Sequence, residues 1–284
     1  MKLIEIAQRL RLFEGSAGAA RFHGFCVAFR NADDTLAAHL DRIDADLRGF
    51  AYEGAGMMLA VLDVFRFRFG RFERFAQGAC RDYVHMVYAG AGLACAYLPW
   101  VRSRIERLIQ RLDPKYRWLV VDGVGFSGKP APAGLSPEGQ HAFDHGYGRR
   151  LWFQYNGDAE MIARLISTFD VPRRRDLWSG AGAACAYTGA GETNEIQKLP
   201  RLAGRYLGAL AEGAAFAAVV RRQAGYVPGN TGVACEVLCG VGAAGAAALA
   251  SDALDRLSAS PALNTYDGWR RLLQDRFDLL LAVR

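Results

Sequence analysis

A mainly α-helical fold, duplicated into a pseudo-twofold bundle with Gly/Ala-rich central helices, is what this sequence predicts, and three observations predict it. Apolar residues recur at helical spacing, as at Leu36, Leu40, Ile43, Leu47 and Phe50 and again at Trp269, Leu273, Phe277 and Leu280. Gly90-Ala-Gly-Leu-Ala-Cys-Ala-Tyr97 returns as Gly180-Ala-Gly-Ala-Ala-Cys-Ala-Tyr187, and Glu53-Gly-Ala returns as Glu212-Gly-Ala, with Glu14-Gly-Ser-Ala resembling both. Glycine inside a helix costs about 1 kcal/mol relative to Ala, so repeated glycines in apolar helices point to backbones that pack closely, as small-xxx-small seams do.

The elements follow in order. A Gly/Ala segment over 13–25 is predicted helical. Asn31, Asp33 and Asp34 are cap candidates for an amphipathic helix over 34–49, and the apolar segment 50–63 carries Glu53 near its start. The segment 84–97 is again small and apolar. Pro99 opens an amphipathic helix over 100–112 with Val101, Ile105, Leu108 and Leu112 inward, stopped before Pro114. Trp118–Val121 is the most strand-like run and is expected to be extended. Asp158 caps a helix over 158–170; Thr193 and Pro200 mark two helix starts; 178–190, 210–222 and 237–250 are small-residue helices; and 265–281 is amphipathic. The expected organisation is one domain over 1–284, with a first repeat over about 13–112, a connector with short extended segments over about 113–157, and a second repeat over about 158–284.

The 284 residues are 51% hydrophobic and can bury a sizeable core. The net charge of +6 is carried by arginine, with Lys2, Lys115, Lys129 and Lys198 the only lysines; that bias is read as compositional, not as a sign of a nucleic-acid partner. No run approaches the roughly 18 apolar residues of a membrane span. Glu5, Arg9 and Arg11 interrupt the N-terminal apolar pattern as a secretory signal would not, so a cytoplasmic location is expected. The six cysteines form no CxxC pair and read as small buried hydrophobes.

Several motifs are set aside on their context. Gly123 to Gly128 fits GxGxxG, and Gly123 to Lys129 fits GxxxxGK. Both need a helix facing the phosphate, and Pro130-Ala-Pro132 follows instead. His141 and His145 have a spacing that would share a metal on a helix, yet Gly146 and Gly148 argue for a loop, so no metal is assigned. The Phe/Arg run over 65–75 reads as core with snorkelling arginines rather than a base-stacking platform. No GxSxG elbow is present. More specific is Asp144-x-Gly146-x-Gly148-Arg149, which enters the aromatic run Leu151-Trp152-Phe153. Here an acid and an arginine can pair and orient Tyr147 or Trp152. Arg173-Arg174-Arg175-Asp176-Leu-Trp178 repeats the theme. Glu53 and Glu212 read either as helix-terminal acids or as two carboxylates facing one cavity with shifted pKa values.

The blocks FAYEGAGMM (50–58), RWLVVDGVGF (117–126), FDHGYGRRLWF (143–153), RRDLWSGAGAACAYTGA (174–190) and AEGAAF (211–216) carry a resemblance. From about Phe13 to Leu249 the chain resembles the UnbL-type family of bacterial proteins, a domain of unknown function encoded in enediyne biosynthetic clusters and also found outside them. His145 departs from the family's pattern, where Gln is expected. The resemblance implies a role in specialised-metabolite biosynthesis, handling a polyene-derived intermediate, and carries over Glu53, Asp122, Asp144, Arg149, Asp176 and Trp178.

The functional expectation is a protein that binds a hydrophobic polyene or isoprenoid-like molecule between its halves, with acid–base chemistry if it is an enzyme. Asp122 or Asp144 is the expected acid, Glu53 the base or orienter, and Arg149 the group that holds the acid. Tyr52, Tyr147, Trp152, Asp176, Trp178 and Glu212 are expected to line the substrate site. No cofactor is assigned. The alternatives are a non-catalytic protein that presents an intermediate to partner biosynthetic enzymes, and a homodimer joined through the Gly/Ala helices.

Overall fold

The structure is a computed structural model that describes residues 15–30, 33–66, 70–188, 193–258 and 266–282. Among these residues every regular element is helical and there is no strand. The chain divides into two compact units, residues 1–124 and 125–284, the division falling inside the helix Trp118–Phe126. Glu14, Asn31, Phe67 and Phe69, which figure in the expectations above, lie outside the described residues.

The first unit contains α1 (Gly15–Arg30), α2 (Asp33–Leu40), α3 (Ala45–Arg66), α4 (Arg71–Gln77), a 3-10 turn (Arg81–Tyr83), α5 (Val84–Cys95), α6 (Pro99–Arg102), α7 (Ile105–Ile109) and α8 (Trp118–Phe126). Four of these, α1, α3, α5 and α8, pack side by side in chain order through glycines. A Cβ built on Gly54 would meet the Arg21 carbonyl oxygen at 1.8 Å, and one on Gly56 would meet that of Val87 at 2.2 Å. On α5, Gly90 abuts the carbonyl of Glu53 and Gly92 that of Val120; on α8, Gly123 abuts the carbonyl of Ala89. The geometry follows from the helix itself. Residues i and i+2 lie about 200° apart around a helix, so a Gly-x-Gly pair presents one bare backbone to the preceding helix and one to the next.

The second unit repeats the device. It holds α9 (Pro137–Gln154), α10 (Ala159–Thr168), α11 (Val171–Thr188), α12 (Thr193–Ala203), a 3-10 turn (Gly204–Tyr206), α13 (Leu207–Gln223), α14 (Gly229–Cys239), α15 (Ala243–Ser258) and α16 (Tyr266–Leu281). Gly125 abuts Phe143 O, Gly148 abuts Leu177 O, Gly180 abuts His145 O, Gly182 abuts Leu210 O and Gly213 abuts Ser179 O, every hypothetical Cβ lying at 2.1 Å or less. The same ladder in both units is what a duplicated all-α chain requires.

Several boundaries differ from expectation. The run Trp118–Val121 is not extended: it opens α8, because a short apolar run fits a buried helix as well as a strand. The block Asp144–Phe153 is likewise helical rather than a loop, since Gly146 and Gly148 lie within α9. Ser136 caps that helix, accepting from Gly139 N at 3.1 Å, with Pro137 in its first turn. The helix expected over 237–250 breaks at Gly240, which adopts a left-handed φ of 69°. Pro200 lies inside α12 rather than at a helix start. The segment 100–112 forms two short helices instead of one. Asp158 caps α10 as expected, accepting from Met161 N at 2.9 Å.

Candidate functional site

Within each unit the ladder places one position per helix at a common level, immediately before the first glycine of each pair. In the first unit this level holds Glu53, Ala89 and Asp122; in the second it holds His145, Ser179 and Glu212. All of the polar ones are buried, so each must find partners or raise the free energy of the fold.

In the first unit, Arg21 supplies one such partner. Its Nε donates to Glu53 Oε2 at 2.7 Å, and a second guanidinium nitrogen lies at the same distance. Asp122 has no exposure at all. Tyr52, beside Glu53 in sequence, is also buried. Its hydroxyl donates to Asp41 Oδ1 at 2.9 Å, and its ring stacks on Tyr83 with centroids 4.2 Å apart. Burial, reinforced by Asp41, pushes its phenol far above the ordinary range.

The first unit also contains a cavity of about 210 Å³. Its walls are mostly apolar, among them Ala60, Ala91, Cys95, Ile105, Leu108 and Val120, and Asp63, Glu73 and Arg111 line it as well. Burial pushes both carboxyl groups above the usual carboxylate range. For Asp63 the effect is opposed by backbone N–H groups, including that of Phe72 at 2.9 Å; for Glu73 it is reinforced by Asp113. None of the site residues expected from the sequence lines this cavity.

The second unit gathers most of them. Glu212 accepts from Ser179 Oγ at 2.6 Å and Gln274 Nε2 at 2.9 Å, and Arg270 approaches it at 3.3 Å. Burial raises its carboxyl, yet Arg270, His145, Ser179 and Gln274 outweigh that and hold it below the ordinary range. Arg270 also donates to Asp176 Oδ1 at 2.7 Å. There burial wins and Asp176 is raised, against the pull of Arg270 and His141. His145 packs edge-on to Phe216, which meets Trp269 in turn. His141, at i−4 from His145, pairs with Asp267 at 2.6 Å.

Asp144 lies one turn along the same helix, buried, in a bidentate grip from Arg173: Nε stands 3.0 Å from Oδ2 and Nη2 2.5 Å from Oδ1. Arg149 lays its guanidinium over the Phe126 ring at 5.0 Å. Tyr147 is half-buried between Phe143 and Phe169. Trp152 and Trp178 are buried core residues. Among the described residues no cluster of His, Cys, Asp or Glu is arranged to hold a metal ion.

Comparison with known families places this architecture. The profile described as "Protein of unknown function (DUF1702)" matches residues 7–129 and 133–277, nearly the whole chain, in two consecutive segments. The chain belongs to the DUF1702 family. No curated protein and no solved structure matches it. The boundary between the two DUF1702 segments lies close to the division between the compact units.

In this DUF1702 chain the acids stand out in the sequence more clearly than their partners. Ser179 occupies in α11 the place that Glu53 holds in α3, directly before Gly-Ala-Gly, and that register is the signal for it. Arg173 lies in the basic block before Asp176, whereas Arg270 and Gln274 carry no such mark. Asp63 precedes the Phe/Arg run over 65–75, which was expected to be core, and Glu73 lies within it. Phe72 and Phe75 are indeed buried, whereas Phe65 is exposed.

Proposed function

We propose that this DUF1702 protein binds an apolar small molecule in the cavity of its first unit and acts on it by acid–base chemistry. The observation that carries the reading is the cavity itself: apolar walls with two carboxyl groups whose pKa values burial raises. Its volume of about 210 Å³ exceeds the roughly 150 Å³ that admits benzene, so a branched or unsaturated hydrocarbon segment fits. A carboxylic acid donates a proton to an alkene or a leaving group from its protonated form, and burial shifts Asp63 and Glu73 toward that form. Glu73 takes the acid's role that the sequence pattern gave to Asp122 or Asp144. Asp63, whose carboxylate accepts the Phe72 N–H, holds the start of α4 and positions it. The resemblance to the UnbL-type family supports a polyene- or isoprenoid-like substrate from specialised metabolism.

A second reading, a carrier without catalysis that presents its ligand to partner enzymes, draws on a specific observation. The buried acids Glu53, Asp144 and Glu212 are all engaged by arginines, as scaffold groups are. Titration with N-phenylnaphthylamine, an apolar fluorescent probe, tests the shared premise. Saturable binding, displaced by farnesol and lost in Leu108→Trp, is expected. Undiminished binding in Leu108→Trp would exclude the cavity. Conversion of a bound polyene by the native chain but not by Glu73→Gln would decide for the enzyme over the carrier.

A further inference from the structure

The segment that closes the cavity has an outer face of a distinct kind. From Pro99 to Leu112 it turns Val101, Ile105, Leu108, Ile109 and Leu112 toward the cavity. The same segment carries Arg102, Arg104, Arg107 and Arg111 against one acid, Glu106, and Arg104, Arg107 and Arg111 are exposed. Arg111 also lines the cavity, and Trp100, in the same segment, and Phe65 are two aromatic side chains that the fold leaves in water. Trp100 and Phe65 are each 56% exposed, and their rings meet edge to face at 6.5 Å. Each is a chain neighbour of a cavity-lining residue, Val101 and Val64 respectively. Buried aromatic area is the usual outcome for Trp and Phe; an exposed pair beside an apolar cavity needs another solvent.

We propose that this face docks on an anionic lipid bilayer, with Trp100 and Phe65 entering the headgroup–acyl boundary and the surrounding arginines engaging lipid phosphates. The chemistry matches on both counts. Indole and phenyl rings partition to the interfacial region, and clustered basic side chains are drawn to the negative surface potential of anionic lipids. Guanidinium groups pair with phosphate in a bidentate manner that ammonium groups do not. An acidic protein surface would satisfy the arginines but gives no reason for two bare aromatics next to a hydrocarbon-lined cavity. Among the described residues no single helix is long and apolar enough to span a membrane, so the contact is peripheral. The inference adds a source for the ligand proposed above, a molecule dissolved in the bilayer, and rests on that reading only for the ligand's route.

Co-sedimentation of the full chain with vesicles tests it. Vesicles of phosphatidylcholine with about a third phosphatidylserine are expected to bind at least ~tenfold more tightly than phosphatidylcholine alone. Trp100→Ala with Phe65→Ala, and separately Arg104→Glu with Arg107→Glu, are expected to abolish the difference. Far-UV circular dichroism and thermal unfolding of both variants should match the parent, because all four side chains are exposed. Equal binding to neutral and anionic vesicles, no binding to either, or unchanged binding by both variants would overturn the proposal. So would binding to soluble polyglutamate as tight as to the anionic vesicles, which would assign the face to an acidic macromolecule. N-phenylnaphthylamine binding measured without vesicles separates the two readings. Probe binding without vesicle binding overturns the docking alone, and vesicle binding without probe binding overturns the cavity's ligand alone.

Discussion

Gly90 sits with its backbone against the carbonyl oxygen of Glu53, so close that a Cβ would lie 1.9 Å from that oxygen. The same relationship recurs between Gly180 and His145 O, and between Gly213 and Ser179 O. The residue whose carbonyl receives the neighbouring helix is, in each case, a buried polar residue directly before a glycine. Backbone packing and polar placement therefore come from a single register. Where Gly-x-Gly sits fixes which residues share the buried level.

Gly90→Ala is expected to destabilise the protein by about 2–4 kcal/mol, despite the better helix propensity of Ala, because the atom in the way is backbone and cannot turn aside. Gly232→Ala is the matched control. It lies inside α14 with nothing within 4 Å of the new Cβ, and is expected to stabilise by up to about 1 kcal/mol. Urea unfolding of both variants against the parent measures the pair.

The helical class and its duplication were legible because Gly-Ala-Gly-x-Ala-Cys-Ala-Tyr occurs twice and amphipathic spacing flanks it. The true period was harder to see. Within each repeat the Gly-x-Gly register recurs helix by helix, and it is interrupted at the ends of the row. Phe22 stands in α1 where the first glycine of the pair would be, and Ala215 stands in α13 at the place of the second. Trp118–Val121 misled because uniformly apolar short runs carry no periodicity. The acids were legible as charges embedded in apolar helices. Their partners were not, since Asp176 and Arg270 are 94 residues apart and Asp144 and Arg173 are 29 apart, and no local pattern links such pairs.

Arg270 bridges two acids, so its loss should be felt twice. Arg270→Met leaves Asp176 and Glu212 buried without their shared cation, and a cost of about 3–5 kcal/mol is expected. The pH dependence should change as well. Glu212 is held below its ordinary value in the fold, so its contribution is present above the unfolded carboxylate pKa and is lost as pH falls through the folded one. In Arg270→Met that acid-side loss should shrink, measured as unfolding free energy from about pH 5 down to about pH 2.

Asp144 and Arg173 differ in exposure, and the two halves of the pair should not cost the same. Asp144 is buried, while the Arg173 side chain is 31% exposed. Asp144→Asn frees an arginine that can turn to water, at an expected cost of about 2 kcal/mol. Arg173→Ala strands a carboxylate in the core and should cost more, about 3–5 kcal/mol. Chemical denaturation of the two single variants and the double variant gives the coupling. An Asp144→Asn protein that folds and still turns over a bound polyene would place the acid elsewhere, as Glu73 in the cavity requires.

His85 offers the sharpest pH test. It is half-buried on α5, its ring edge-on to Tyr116 at 5.3 Å, and burial assisted by Lys115 pushes its pKa down to about 4. The unfolded chain returns it to about 6.5. Between those values the unfolded state binds more protons than the folded one, so stability falls as pH drops from about 6.5 to about 4 and levels off below. At about 1.4 kcal/mol per pH unit, the loss attributable to this one ring amounts to a few kcal/mol. His85→Gln removes the titrating group, and its unfolding free energy should be nearly flat across that window apart from the carboxylates. His141 has the opposite sign. Its Asp267 partner raises its pKa, so its contribution is present below about 6.5 and is lost as pH rises through the folded value. A parent profile with an acid-side loss that survives in His85→Gln but vanishes in His141→Gln would refute this assignment.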